Sequence, residues 1–311
     1  MRPSNPIHER LADIPVTTRT LPLLGGRTAI WDYGPAHAER TVMLVHGFRG
    51  THHGLANLIA LLPEVRFIAP DLPGFGASTP LDRPHSLDAY AEWLLALLEA
   101  EDPAGTATVL GHSFGSMIVA AAAERLRQTS IVLVNPIAEN ALEGPERLLT
   151  NLGVLYYRIG AALPGRLGRA LLGAPAITRI MSEVMATTRS RALRRWIHAE
   201  HREHFSEFAD RDVLLEAFKA SVSDDVRSHA GAFPPGTTLI AGERDQIAPP
   251  AASRRLHRAM PGSDLHLIGG VGHLIHYETP IPLARLVREH LAARPAAPAA
   301  LPQRTTPKEQ R

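Results

Sequence analysis

The sequence contains no cysteine, and only two of its 33 basic residues, Lys219 and Lys308, are lysines. Without cysteine there is no thiol nucleophile, no disulfide framework and no zinc or iron–sulfur site with cysteine ligands. Long apolar runs are also missing, since no stretch approaches the roughly 18 residues of a membrane span. The first 25 residues lack the continuous apolar segment of a secretory signal. We therefore predict a cytoplasmic protein with no membrane span.

A strong charge of either sign is absent as well. The 33 basic residues face 31 acidic ones, so the net charge is only +2. A field this weak does not favour nucleic acid as a partner, and we predict a small-molecule substrate instead. Hydrophobic residues make up 45% and charged residues 21% of the chain, which is typical of a soluble globular protein. These numbers leave the oligomeric state open.

Strand and helix patterns alternate along most of the 311 residues. Short apolar runs predict strands at 41–48, 65–74, 106–113, 130–136, 236–245 and 263–273. Helical spacing predicts helices at about 54–62, 86–100, 114–126, 251–259 and 281–293. Upstream, 16–26 and 27–34 have the pattern of an antiparallel pair that begins the sheet. Because alternation favours parallel pairing, we predict an α/β fold with a mostly parallel sheet and helices on both of its faces.

The alternation stops between 138 and 229, where only helical patterns occur. We interpret this segment as a helical cap inserted over the carboxyl edge of the sheet, because the same alternation resumes after it. The core then comprises 16–137 and 230–295. Residues 296–311 are rich in Pro and Ala without periodicity, which predicts a disordered tail.

The stretch "GHSFG" places Ser113 between two glycines, after a predicted strand and before a helix of small residues. This is the context in which Gly-x-Ser-x-Gly forms a strained turn that exposes a nucleophilic serine. The N–H of Phe114 then lies at a helix N-terminus, where it can stabilise an oxyanion. A second donor is expected from "HGFRG", where we assign the N–H of Phe48. His46 is expected to hold that loop through side-chain hydrogen bonds.

A histidine base and an acid follow later in the chain. His273 comes just after the last predicted strand, in a glycine-rich loop, and His276 is its rival. Asp245 follows the preceding strand in "GERDQ", with Glu243 as the rival acid and Asn135 as a weaker alternative because an amide carries no charge. The order Ser, Asp, His is that of α/β-hydrolase triads.

Five blocks, "HGFRG", "DLPGFGAS", "GHSFG", "GERDQIAP" and "GHLIHYETP", occur in order at predicted strand ends. With them the sequence resembles the α/β-hydrolase fold superfamily over roughly 16–295. The resemblance implies an eight-stranded, mostly parallel sheet with a helical lid between its sixth and seventh strands. Superfamily members with haloalkane dehalogenase or epoxide hydrolase activity have an aspartate at the nucleophile position. Ser113 argues against both activities.

The resulting prediction is a serine hydrolase that works through an acyl-enzyme, with Ser113 as nucleophile, His273 as base and Asp245 as the acid that orients it. The mechanism requires no metal and no organic cofactor. A carboxylic ester of modest, apolar character is the expected substrate. Open alternatives are a C–C bond or thioester hydrolase with the same triad, a cofactor-free perhydrolase, and a ligand-binding receptor with little turnover.

Other features are interpreted structurally. Steps of three residues drift around a helix, so His198, His201 and His204 are not expected to bind a metal, and their basic segment is predicted to be a solvated helix face. His52 and His53 are expected to structure the loop after "HGFRG", and "DLPGFGAS" is interpreted as a turn. A few apolar cap residues are candidates either for packing against the core or for lining an acyl pocket: Tyr156, Tyr157, Met181, Met185 and Trp196.

Overall fold

A computed structural model of the chain describes residues 4–140 and 147–293. Its strands are β1 (Val16–Leu23), β2 (Gly26–Tyr33), β3 (Thr41–Val45), β4 (Arg66–Pro70), β5 (Thr108–His112), β6 (Ser130–Val134), β7 (Thr238–Gly242) and β8 (Asp264–Ile268). They form one sheet in the order β1-β2-β4-β3-β5-β6-β7-β8. The β1–β2 and β2–β4 pairs are antiparallel, and every pair from β4 to β8 is parallel. The predicted eight-stranded, mostly parallel sheet is confirmed.

The helices of the core follow the predicted alternation. The helices are α1 (Pro6–Glu9), α2 (Ala56–Leu61), α3 (Leu87–Glu101), α4 (Phe114–Ala121), α5 (Arg147–Ala162), α6 (Gly165–Leu172), α7 (Pro175–Met185), α8 (Arg191–His204), α9 (Arg211–Ser221), α10 (Pro250–Ala259), α11 (Ile275–Glu278) and α12 (Pro280–Ala292). Of these, α5 to α9 follow one another without a strand between them. Short 3-10 turns cover Arg10–Asp13, His52–Leu55, Ala123–Arg125 and Arg227–Ala232. Ser86 caps α3 by accepting a hydrogen bond from the N–H of Ala89, which satisfies one of the free donors of the first turn.

The central strands of the sheet are buried on both faces. Along β3, Met43 and Val45 point into the apolar cluster that contains Trp93 of α3, while Val42 and Leu44 point into the opposite cluster. Successive side chains of a strand alternate between faces, so the unbroken apolar run in the sequence reflects a strand covered by helices on both sides. The central strands therefore form a rigid base for the loops at their carboxyl ends.

Helices α5 to α9 all lie between β6 and β7, as the helical pattern of 138–229 predicted. The limits of the cap stay a prediction, and the tail proposed for 296–311 lies outside the described residues. None of the helices described is long and apolar enough to span a bilayer.

The "DLPGFGAS" turn holds part of the cap against the core. The N–H of Gly76 donates to the carbonyl of Glu207 at 2.8 Å, and the N–H of Ala209 donates to that of Gly74 at 2.9 Å. Phe75 and Phe208 form the β-bridge between these two contacts. The turn that the sequence predicted is therefore also a contact with the cap.

Candidate active site

Ser113 occupies a strained turn between β5 and α4. Its φ of 53° and ψ of −119° are unfavourable for a residue with a side chain and cost about 1–3 kcal/mol. The turn is tight because two glycines permit close approach: a Cβ on Gly115 would lie 2.0 Å from the carbonyl oxygen of Val45, and one on Gly111 would lie 2.7 Å from that of Gly115. The backbone therefore presents the serine hydroxyl at the carboxyl edge of the sheet.

His273 lies between Ser113 and Asp245. Its Nε2 is 2.8 Å from the Oγ of Ser113, and its Nδ1 is 2.7 Å from the Oδ2 of Asp245. Because a carboxylate only accepts hydrogen bonds, Nδ1 carries the proton and Nε2 presents a lone pair to the serine hydroxyl. The three side chains form a continuous hydrogen-bonded line.

Asp245 is a buried carboxylate surrounded by donors. Its Oδ1 accepts the N–H groups of Ile247 at 2.8 Å and Ala248 at 2.9 Å, and its Oδ2 also accepts the side-chain amide of Asn135. Burial alone would raise the pKa of this carboxyl group, but the charge and hydrogen bond of His273 and the other donors outweigh it and lower the pKa. Asp245 is therefore ionised at neutral pH.

The rivals named from the sequence have different surroundings. His276 packs against the ring of His112 with centroids 4.3 Å apart, and its pKa is well below the usual value because the ring is buried beside other histidines. Glu243 is exposed. Asn135 does contribute, as a donor to Asp245, from a backbone with φ of 47°.

The two predicted oxyanion donors belong to elements that flank Ser113. Phe114 is the first residue of α4. Phe48 lies in a turn closed by a 3.0 Å hydrogen bond from the N–H of Gly50 to the carbonyl of Gly47, and a Cβ on Gly47 would lie 3.3 Å from the Cβ of Ser113. This loop therefore packs directly against the serine.

His46 uses both ring nitrogens to hold the same loop. Nε2 accepts the N–H of Leu72 at 2.9 Å, which leaves Nδ1 to donate to the carbonyl of Gly47 at 2.9 Å. Burial lowers the pKa of this histidine, so the ring is neutral. Its contacts are those of the structural role expected from the sequence.

A cleft opens above Ser113. The core side of its lining comes from the loop at 46–55, from His112 and Ser113, and from the segment that follows β8. The cap side consists of Met185, Glu200, His201, His204 and Phe205. A substrate carbonyl at Ser113 would therefore lie between core and cap.

A family model described as alpha/beta hydrolase fold matches residues 40–280. The chain belongs to the α/β-hydrolase fold family. The 2-hydroxymuconate semialdehyde hydrolase of Pseudomonas sp. (strain CF600) is 29% identical over 294 residues, which cover 91% of this chain and 96% of that protein. Lipase 3 of Moraxella sp. (strain TA144) is 24% identical over 271 residues, covering 82% and 78%.

Solved structures agree on the fold of this α/β-hydrolase. An esterase from Thermogutta terrifontis superposes with a TM-score of 0.70 at 23% identity, over 90% of this chain and 98% of that one. The enol-lactonase from Burkholderia xenovorans LB400 superposes with a TM-score of 0.73 at 19% identity, over 88% and 100%. At such identities the likeness shows the fold alone, and the bond that this hydrolase cleaves is a separate question.

Helix α8 corrects one expectation from the sequence. Its central part is not a solvated face, because Trp196 to His201 are all buried. Trp196 packs edge-on against Tyr277 at 5.3 Å, and the Nδ1 atoms of His198 and His201 lie 2.5 and 2.8 Å from the Oγ of Ser182. The adjacent apolar pair Trp196–Ile197 was the available signal that this helix has a buried face.

Three of the five apolar cap residues suggested for the acyl pocket can be assigned to one of the two interpretations. Met185 lines the cleft, whereas Trp196 and Tyr157 are buried in packing contacts. Glu200, His201, His204 and Phe205 were not proposed as lining residues from the sequence. Among the described residues, no group of three or more His, Asp or Glu side chains is placed to hold a metal.

The side chains that line the cleft carry little net charge. Among the described residues that line it, none is Arg or Lys, and Glu200 is the one carboxylate. Burial lowers the pKa of His112 and of His201 to about 3, with neighbouring histidines adding to the effect. Both rings are therefore uncharged at neutral pH, and the described lining offers no fixed positive charge to an anionic substrate.

Proposed function

We propose that the chain is a serine hydrolase that cleaves a carboxylic ester through an acyl-enzyme. The observation that carries the proposal is the hydrogen-bonded line from Asp245 through His273 to Ser113, with distances of 2.7 and 2.8 Å. Such a line provides a nucleophile, a base and a group that fixes the tautomer of the base.

In the first half-reaction the Oγ of Ser113 attacks the ester carbonyl carbon while its proton passes to Nε2 of His273. Asp245 stabilises the imidazolium that forms. The N–H groups of Phe48 and Phe114 donate to the oxyanion, and loss of one such donor typically raises the barrier by about 3–4 kcal/mol. The imidazolium then protonates the departing alkoxide, which leaves the acyl group on Ser113.

In the second half-reaction water attacks the acyl carbon and gives one proton to Nε2 of His273. Collapse of the tetrahedral intermediate breaks the bond to Oγ of Ser113, which recovers its proton from the imidazolium. The carboxylic acid leaves, and the resting triad is restored. Proton transfer of this kind contributes about 10²–10⁴-fold to the rate.

Cleavage of a C–C bond by the same triad is the second candidate, favoured by the similarity to 2-hydroxymuconate semialdehyde hydrolase over 91% of the chain. A muconate carries a carboxylate. The described lining of this cleft contains one carboxylate, that of Glu200, and no Arg or Lys, which is unfavourable for an anion. We therefore rank a neutral ester first.

The test is hydrolysis of p-nitrophenyl esters from acetate to decanoate by the native chain and by Ser113→Ala. Ser223→Ala is the matched control, because Ser223 is exposed and lies outside the cleft lining. We expect turnover that depends on chain length, is lost in Ser113→Ala and is unchanged in Ser223→Ala. Turnover that persists in Ser113→Ala would show that the nucleophile is misassigned.

A vinylogous 1,5-diketone acid assayed in parallel distinguishes the second candidate. Loss of its absorbance with formation of two smaller acids, at a kcat/KM above that of every ester, favours C–C cleavage. Labelling of Ser113 by a fluorophosphonate without turnover of either substrate class contradicts both candidates.

A further inference from the structure

Arg49 is a buried residue in the turn that packs against the nucleophile. It follows Phe48 directly, is 1% exposed, and has a φ of 61°. A left-handed conformation favours glycine, and a residue with a side chain keeps it only where surrounding contacts enforce it. The contacts made by the Arg49 side chain are therefore candidates for what fixes this turn.

The hydrogen-bond partners of the Arg49 guanidinium all lie on the cap side. Nε donates to the carbonyl of Phe205 at 2.9 Å, and Nη2 donates to the carbonyl of Leu172 at 3.0 Å. Nη1 lies 3.4 Å from the hydroxyl of Tyr157, with Nη2 3.5 Å from the Oγ of Ser206. These groups belong to α5, to the end of α6 and to the segment where α8 ends.

The two carbonyls explain how a buried cation is tolerated there. Leu172 is the last residue of α6 and Phe205 is the C-cap of α8, and the last carbonyls of a helix lack helical partners and carry its negative end. Within the described residues, no carboxylate pairs with Arg49. Moving the cap away would therefore leave the guanidinium without its charge-compensating partners.

The same turn reaches the reaction centre through Phe48. The Phe48 ring contacts Phe114 on the core side at 6.5 Å between centroids and Tyr157 on the cap side at 5.8 Å. The N–H of Phe48 is the second oxyanion donor of the proposed function. A shift of the turn by about 1 Å is enough to misplace such a donor and can reduce a rate by about 100-fold.

We infer that Arg49 is a positioning residue, which sets the oxyanion-donor turn by bonding to the cap, so that the donor of Phe48 is in place only when the cap is seated. The inference rests on the proposed function, because it assigns Phe48 a role in the same reaction. It makes the cap a condition for catalysis as well as a wall of the cleft.

The test compares Arg49→Met, Arg49→Lys and Arg169→Met by steady-state kinetics on the ester that the native chain hydrolyses best. Arg169 is the matched control, because it bonds to the carbonyl of Ala209 at 2.6 Å and lies over the ring of Phe208 but is not part of the turn. We expect kcat to fall about 30- to 100-fold in Arg49→Met with less than a threefold change in KM. The kcat of Arg49→Lys should fall less, because lysine keeps the charge but reaches fewer acceptors. The kcat of Arg169→Met should stay within threefold of the native value.

A merely structural role would give a different result. It predicts a lower melting temperature in Arg49→Met and an unchanged kcat well below that temperature, and that outcome would overturn the inference. Hydrogen–deuterium exchange provides a readout that needs no turnover. Arg49→Met should speed exchange in 46–51 together with 205–208, whereas Arg169→Met should affect only the cap.

The exchange data also separate the inference from the proposed function. If the native chain hydrolyses no ester but Arg49→Met speeds exchange in 46–51 together with the cap, the coupling between turn and cap is supported and the proposed function fails. If esters are hydrolysed and 46–51 exchanges as in the native chain, the inference fails alone.

Discussion

Asp245→Asn removes a single charge from the buried end of the proposed triad while keeping the size of the side chain. Four donors meet the carboxylate: Nδ1 of His273, the amide of Asn135, and the N–H groups of Ile247 and Ala248. An asparagine has one acceptor oxygen and one NH2 group. Whichever way it is turned, the NH2 group therefore faces two donors.

The two orientations of the asparagine side chain differ in free energy. With the oxygen toward His273, the N–H groups of Ile247 and Ala248 both lose their acceptor, at about 1–3 kcal/mol each. With the oxygen toward those two N–H groups, only the hydrogen bond from the amide of Asn135 is lost, and that amide keeps the carbonyl of Gly272 as an acceptor. His273 loses no partner, because it can change tautomer and accept from the new NH2. The second orientation is therefore preferred, and it places the proton on Nε2, where the imidazole cannot take a proton from Ser113.

We expect kcat to fall about 10³–10⁴-fold, equivalent to roughly 4–5.5 kcal/mol, as for other triads that hold the wrong tautomer. The assay is steady-state hydrolysis of the best p-nitrophenyl ester, with urea unfolding to show that the variant is folded. Glu243→Gln is the control, since Glu243 is exposed, and its kcat should stay within twofold. A loss below tenfold in folded Asp245→Asn, or a large loss in Glu243→Gln, would refute this reasoning.

Three shorter predictions follow. Burial lowers the pKa of His112 and His201 to about 3, so the unfolded chain binds more protons than the folded chain between about pH 6.5 and 3. The free energy of unfolding, measured with urea, should therefore decrease as the pH is lowered through this range, by up to about 1.4 kcal/mol per pH unit per histidine. A free energy of unfolding that does not change with pH would contradict this prediction. A Cβ on Gly115 would lie 2.0 Å from a backbone oxygen of β3, while one on Gly231 meets nothing within 4 Å; Gly115→Ala should therefore lose about 3 kcal/mol of unfolding free energy and Gly231→Ala less than about 1. Glu200→Gln removes the carboxylate from the cleft lining and should raise kcat/KM for anionic acyl esters about fivefold, corresponding to roughly 1 kcal/mol, without a similar gain for neutral ones.

The sheet and the elements around Ser113 could be predicted because their signals are local. Gly111 and Gly115 occur where a Cβ would strike backbone atoms, and this steric demand is visible in five consecutive residues. The loops that carry Asp245 and His273 each follow an apolar strand, and the carboxyl ends of parallel strands meet at one edge. The positions of these residues at strand ends were therefore enough to predict that Ser113, Asp245 and His273 lie close together.

The lining contributed by α8 could not be predicted in the same way. Polar residues such as His198 and His201 are buried there because Ser182, on a different helix, provides a hydrogen-bond partner for both. A buried polar side chain is tolerated only when it is paired, and nothing within α8 indicates that the partner exists. Composition alone therefore suggested a solvated face.

The contacts of Arg49 are harder still to predict from the sequence, because its principal hydrogen-bond partners are backbone carbonyls. Those of Leu172 and Phe205 are 123 and 156 residues away along the chain, and every residue carries a carbonyl, so the sequence has no distinctive mark for them. These two carbonyls are free to accept hydrogen bonds from Arg49 because α6 and α8 end there. Sequence patterns locate the ends of helices only within a few residues. From the sequence, an arginine beside the proposed oxyanion turn is expected to be an exposed charge, and only the structure shows that two helix ends converge on it. A buried cation held by helix ends is therefore recognised from the three-dimensional structure.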